Sequence, residues 1–226
     1  MIEGLSSDAD VPAGILLAGY FVAVPERRSG SGMPWTERLT TASDCLIDWL
    51  PEDGSWFGTA GEALEACLLV QVPVEARLYA LLVPADHVSG FVTDILTAGT
   101  DEPVLLAHLD SRDGGVARQV AAGGHVLGWE VLGYDEGLLH SWLCNNLYDD
   151  GVRELGVGTG EHGLLPDRKA AVRVAAWANM RGDTKPVTWF PGALMEWDAP
   201  VQGRITSAAA DAPAPPDVRP WWRRIL

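Results

Sequence analysis

His140 and Cys144 stand four residues apart in the segment of the chain whose residue types most suggest chemistry. The apolar pattern predicts a helix over residues 138–147, and on a helix the imidazole and the thiol would share one face. Such a pair could act as a thiol nucleophile and its base, or supply two ligands of a zinc site with His162 as the third. Asp135 lies close enough in sequence to join either arrangement.

Neither chemistry is specified by a motif. The chain has no H-E-x-x-H sequence and no second Cys/His pair at fixed spacing, so we predict no metal and no cofactor. Cys144 is surrounded in sequence by large apolar residues, a setting in which a thiol is commonly an inert part of the core. His140, Cys144, His162 and Asp135 are therefore candidates for catalysis only.

The last six residues combine two indoles, two guanidinium groups and two aliphatic side chains, a composition typical of interface hot spots. The six are Trp221, Trp222, Arg223, Arg224, Ile225 and Leu226. The preceding residues 199–220 are rich in Ala and Pro and nearly devoid of large apolar side chains, which predicts a flexible linker. The terminal peptide could bind a protein partner, insert weakly at a membrane surface, or fold back onto its own acidic body.

Acidic residues dominate the rest of the chain. The net charge is −15, from 31 acidic and 16 basic residues. Residues 1–198 hold 29 acidic and 12 basic residues, a net charge of −17. This balance excludes nucleic acid as a partner, disfavours membranes and favours a basic protein. The predicted docking surface is an acidic group near the end of a predicted helix: Asp44, Asp48, Glu52 and Asp53.

Other familiar site motifs are absent. The glycine-rich stretch Gly156–Gly163 follows a predicted helix and lacks the Lys-Ser/Thr of a phosphate loop. No G-x-S-x-G sequence marks a serine hydrolase, and His87 beside Asp86 is explained as a helix-start pair. Three cysteines, an odd number without a C-x-x-C pair, do not form a secreted disulfide framework. With no signal peptide and no apolar run of about 20 residues, we expect a cytoplasmic protein.

Periodicity of the apolar residues predicts both helices and strands. Strands are expected at 14–24, 64–74, 77–83, 103–109 and 125–134, with one strand or two, split at Pro191-Gly192, in 187–197. Helices are expected at 36–50, 84–98, 138–147 and 167–179, with a short helix starting at the capping box Thr59–Glu62. The elements do not alternate strictly, so the fold predicted is α+β: one compact domain with a mixed or mainly antiparallel sheet flanked by helices, plus a flexible C-terminal tail.

The sequence therefore divides into an acidic α+β domain (1–198), an Ala/Pro-rich linker (199–220) and a basic, Trp-rich peptide (221–226). It favours a non-enzymatic interaction module, acting as an inhibitor, immunity factor or assembly adaptor for a basic protein. One alternative is a small-molecule enzyme or biosynthetic accessory protein using a site within residues 135–162. A second is a structural subunit of a larger assembly. The preference for Arg over Lys is typical of a GC-rich bacterial genome.

Overall fold

A computed structural model describes residues 14–28, 36–43, 45–47, 49–50, 56–70, 72–98, 103–110, 124–144 and 147–197 of the 226-residue chain. The strands are β1 (Ile15–Ala23), β2 (Glu26–Arg28), β3 (Thr36–Leu39), β4 (Trp49–Leu50), β5 (Arg77–Pro84), β6 (Gly124–Asp135), β7 (Leu138–Ser141) and β8 (Phe190–Trp197). The helices are α1 (Ala60–Cys67), α2 (Val88–Ala98), α3 (Pro103–Asp110), α4 (Leu147–Leu155) and α5 (Arg168–Asn179).

Six of the strands form one sheet in the order β4-β1-β5-β8-β6-β7. Every neighbouring pair in this sheet is antiparallel. Strands β2 and β3 form a separate antiparallel pair. The chain is thus a single α+β domain with an antiparallel sheet and several helices, which confirms the predicted fold class.

The core lies around the central strands. All nine residues of β1 are buried, a pattern that requires cover on both faces of the sheet. Helix α3 packs against β1, and α5 packs against β6 and β8. Aromatic rings fill the space between elements: Phe21 stacks on Tyr79 across β1 and β5, and Phe91 of α2 stacks on Phe190 of β8.

A two-residue loop joins β6 to β7. Glu136 and Gly137 have φ angles of 51° and 91°, the positive values that the tightest hairpin turns require. Asp135 and Leu138 therefore lie directly opposite each other, and the register continues to Gly133 opposite His140. This turn places His140 on an edge strand of the sheet.

Several sequence predictions agree with the structure. Strands at 14–24, 77–83, 125–134 and 187–197 correspond to β1, β5, β6 and β8, and helices at 84–98 and 167–179 correspond to α2 and α5. The capping box is present: the Thr59 side chain accepts from the Glu62 backbone N–H, and the Glu62 carboxylate accepts from the Thr59 backbone N–H. These segments have either strong periodicity or a cap with a defined geometry.

Two predicted strands are not strands: α1 runs into the first of these segments and ends at Cys67, and a helix occupies the second. The predicted strand 64–74 is wrong, because the capping box starts α1 and Ala, Glu and Leu are good helix formers. The predicted strand 103–109 is also wrong, and α3 occupies that segment. A short apolar run fits a buried helix as well as a strand, and Pro103 suits a first helical position.

Two predicted helices are wrong in the opposite sense. Residues 36–50 contain β3 and β4, and between them the Thr41 hydroxyl accepts from the Ser43 backbone N–H at 2.9 Å. Such local side-chain bonds compete with helix formation. The predicted helix 138–147 begins with β7, because pairing with β6 after the tight turn outweighs the helical spacing of its apolar residues. The next helix, α4, starts at Leu147.

Among the described residues no helix has both the length and the apolar character needed to cross a membrane. The predicted linker 199–220 and terminal peptide 221–226 lie outside the described residues.

Candidate functional site

Two cysteines that are 99 residues apart in sequence meet at one end of the β6–β7 hairpin. Cys45 lies between β3 and β4, and Cys144 lies in the turn after β7. Their Sγ atoms are 3.3 Å apart. Cys45 is exposed, whereas Cys144 is half-buried. The thiol pair, as we name Cys45 and Cys144, therefore has one sulfur open to solvent and one behind it.

His140 and Ser43 complete the surroundings of the exposed sulfur. The Nδ1 atom of His140 lies 3.8 Å from Sγ of Cys45, and the Oγ atom of Ser43 lies 2.9 Å from it. His140 is a buried residue, with 8 % of its surface exposed, so its position is fixed by packing in β7. The exposed sulfur thus has three polar neighbours: a thiol, a hydroxyl and an imidazole.

These neighbours make the two thiols chemically different. The hydrogen bond between the two thiols is the largest influence that lowers the pKa of Cys45, to about 5, with Ser43 and His140 acting in the same direction against the cost of burial. The same interaction, together with burial, raises the pKa of Cys144. The pKa of Cys45 thus lies below that of Cys144, which is the order expected between an attacking and a resolving cysteine.

A lysine sets the tautomer of His140. The Nζ atom of Lys185 lies 3.0 Å from Nε2 of His140 and 2.9 Å from a carboxylate oxygen of Asp135. An ammonium group has donors only, so Nε2 accepts and the ring proton resides on Nδ1. The Nδ1–H group faces Cys45, where it stabilises the thiolate.

The same tautomer decides how well the site fits a metal. The two sulfurs and the imidazole nitrogen all lie within 4.8 Å of one another and are ligand types that zinc accepts. A metal at Nδ1 would need that nitrogen deprotonated, with the ring proton on Nε2, and Lys185 already donates to Nε2. The donor set as arranged therefore fits thiolate chemistry and does not fit a metal held through His140.

A buried carboxylate lies behind the site. Glu130 of β6 is 1 % exposed and accepts a hydrogen bond from the Thr41 hydroxyl and another, at 3.0 Å, from the backbone N–H of Ala42. Burial raises the pKa of Glu130 to about 7, against the hydrogen bonds of Ser141 and Thr41, which favour the charged form. The carboxylate thus touches the segments that lead to both cysteines.

The structure brings together three of the four candidates that the sequence suggested. His140 and Cys144 lie side by side near Cys45, and Asp135 reaches His140 through Lys185. His162 is not a member of this group. Its backbone carbonyl accepts from Thr40 at 3.0 Å, and burial lowers its pKa.

Sequence reasoning missed Cys45, Lys185 and Glu130. Each reaches the site from a different part of the chain, and no local pattern marks any of them. The acidic docking residues lie outside the described residues, as do all six residues of the terminal peptide. The docking residues concerned are Asp44, Asp48, Glu52 and Asp53.

No protein-family model, no curated protein and no solved structure matches this chain.

Proposed function

We propose that this protein is a thiol–disulfide redox protein in which Cys45 attacks a disulfide substrate and Cys144 resolves the intermediate. The observation that carries the proposal is the 3.3 Å contact between an exposed sulfur and a half-buried one. A disulfide bond is about 2.05 Å long, so the two sulfurs need to approach by little more than 1 Å.

The reaction has two balanced steps. The Cys45 thiolate attacks one sulfur of the substrate disulfide, a mixed disulfide forms at Cys45, and the other substrate sulfur leaves as a thiolate. Cys144 then loses its proton to the departing thiolate and attacks Sγ of Cys45. The mixed disulfide breaks and the second substrate sulfur leaves as a thiolate. The protein loses two electrons, the substrate gains them, and a low-molecular-weight thiol reverses the process.

His140 serves the first step in both directions. Its Nδ1–H lies near Sγ of Cys45 and stabilises negative charge there, first on the attacking thiolate and again when Cys45 is the leaving group in the reverse direction. Lys185 and Asp135 hold the ring in this tautomer. Ser43 adds a hydroxyl at 2.9 Å from the same sulfur.

The proposal is tested by exposing the reduced protein to oxidised glutathione and identifying the products by mass spectrometry. Wild type should form a Cys45–Cys144 disulfide through a short-lived glutathione adduct. Cys144→Ser should accumulate the adduct at Cys45, and Cys45→Ser should form neither product. Cys67→Ser is the matched control because Cys67 is buried in α1 and should not react. Equal reaction of all three cysteines, or no disulfide in wild type, would contradict the proposal.

An interaction module for a basic partner stays a second proposal, favoured by the net charge of −15 and the basic, Trp-rich end of the chain. It is tested by affinity capture from the native host with the full chain and with residues 1–198. A partner captured only by the full chain, and released as salt rises, would support it. Equal capture by both chains would remove the terminal peptide from the interaction.

A further inference from the structure

Glu130 contacts the segment that carries Cys45 through a continuous set of hydrogen bonds. Its carboxylate accepts from the Thr41 hydroxyl and from the Ala42 backbone. The Thr41 oxygen in turn accepts from the backbone N–H of Ser43 at 2.9 Å, and the Ser43 hydroxyl lies 2.9 Å from Sγ of Cys45. Hydrogen bonds thus connect the carboxylate to the exposed sulfur through residues 41–45.

The same carboxylate also contacts the segment that carries Cys144. The Ser141 side chain is a hydrogen-bond partner of Glu130, and its Oγ atom accepts from the backbone N–H of Leu143 at 3.2 Å. The backbone carbonyl of Ser141 accepts from the Cys144 thiol at 3.0 Å. Glu130 is therefore a shared partner of the two chain segments that must approach when a disulfide closes.

We propose that Glu130 is the positioning residue of the thiol pair: its carboxylate holds residues 41–45 against the turn 141–144 and so sets the distance between the two sulfurs. The inference rests on the proposed redox function and extends it to a residue that touches neither sulfur. The groups that face the carboxylate are Thr41 and Ala42 from one segment, Ser141 from β7, and the charge of the nearby Cys45 thiolate.

The carboxyl group of Glu130 changes its charge near neutral pH. Burial raises the pKa of Glu130 to about 7, and the Cys45 thiolate acts in the same direction. A carboxylate is a better acceptor for the hydroxyl and amide donors around it than a carboxylic acid is. The hydrogen bonds that join Glu130 to the two segments should therefore become stronger as pH rises through about 7.

The test measures how readily the disulfide closes, as its equilibrium constant against reduced and oxidised glutathione between pH 5.5 and 8.5. Glu130→Gln should lower the constant about tenfold at pH 8, the loss expected from one buried charged hydrogen bond. It should also remove the change with pH near 7 that wild type shows beyond the ordinary thiol titration. Glu196→Gln is the matched control, since Glu196 is also a buried carboxylate but pairs with Arg38.

A second pair of variants covers the case in which Glu130→Gln does not fold. Thr41→Val removes one donor to the carboxylate and should weaken closure, while Thr41→Ser keeps the hydroxyl and should restore it. Closure in Glu130→Gln and Thr41→Val equal to wild type would overturn the inference and leave the redox function standing. A wild type that forms no Cys45–Cys144 disulfide would overturn both.

Discussion

The Nζ atom of Lys185 lies 3.0 Å from the ring nitrogen of His140 that does not face Cys45. Because the ammonium only donates, the opposite nitrogen of the ring keeps its proton and presents it to the sulfur. A residue that never touches the thiol thus decides whether the imidazole acts on it as a donor or as an acceptor. Asp135, at 2.9 Å from the same ammonium, holds Lys185 in place.

Replacement of Lys185 by Met should therefore raise the pKa of Cys45, because the thiolate loses a fixed hydrogen-bond donor. The imidazole becomes free to move its proton to the other nitrogen, and we expect alkylation of Cys45 by iodoacetamide at pH 6 to slow about twofold, the fall in thiolate fraction when a pKa near 5 rises by one unit. The rate is read by mass spectrometry of the labelled peptide. Lys169→Met is the matched control, since Lys169 is exposed on α5. Equal slowing in both variants would show a loss of general charge instead of a local effect.

Alkylation of Cys45 should follow an unusually acidic titration. The pKa of this thiol is lowered from 9.0 to about 5 by its hydrogen bonds, so the rate should reach a plateau by neutral pH. A group whose pKa is depressed on folding stabilises the fold fully above the unfolded pKa, and that contribution is lost as pH falls through the folded pKa. The stability difference between wild type and Cys45→Ser should therefore grow from pH 5 to pH 9. A midpoint near 9 would contradict the hydrogen-bonded geometry.

Glu130 should affect stability with the opposite sign. Burial raises its pKa from 4.5 to about 7, so its ionisation opposes folding as pH rises through this interval. A shift of this size corresponds to about 3 kcal/mol at most. Urea unfolding of wild type and Glu130→Gln at pH 5 and at pH 8 measures it. Relative to the variant, wild type should lose stability between the two values, and a constant difference would show that Glu130 is not the group concerned.

Gly133 should not tolerate a side chain. An added Cβ atom would lie 2.5 Å from a Val187 methyl carbon, and a β-branched side chain has little rotamer freedom to move aside. Gly133→Ala should lower the free energy of unfolding by about 1–3 kcal/mol, the usual cost of overpacking. Gly182→Ala is the control, because nothing lies within 4 Å of its added Cβ atom. Chemical denaturation of both variants measures their free energies of unfolding, and an equal loss in both would contradict this prediction.

The sequence correctly predicts those elements whose own residues show a regular apolar pattern or a helix-capping motif. The continuous apolar runs of β1 and β5 are visible in neighbouring residues, as is the Asp167 cap of α5. The sequence predicts a strand in place of α3 because a short, mainly apolar segment does not distinguish a helix from a strand. Strand β7 was misassigned because its conformation depends on pairing with β6, and pairing is not encoded locally.

The site could be predicted only where its members are close in sequence. His140 and Cys144 were found as a pair, although for the wrong reason, since a strand and a turn bring them together instead of a helix. Cys45 enters the site from 99 residues away, and its position follows from the order of strands across the whole sheet. One sequence carries no record of such a long-range contact.

The two-residue turn at Glu136 and Gly137 has a consequence for anyone who redesigns or compares this protein. Side chains alternate between the faces of a strand, so adding or removing one residue in β7 before His140 would turn the imidazole to the opposite face. Both cysteines would remain, yet the exposed thiol would lose its proton donor. The number of paired residues between the turn and His140 is therefore as much a part of this chemistry as the identity of any residue, and an insertion within β7 offers a way to disable the histidine without mutating it.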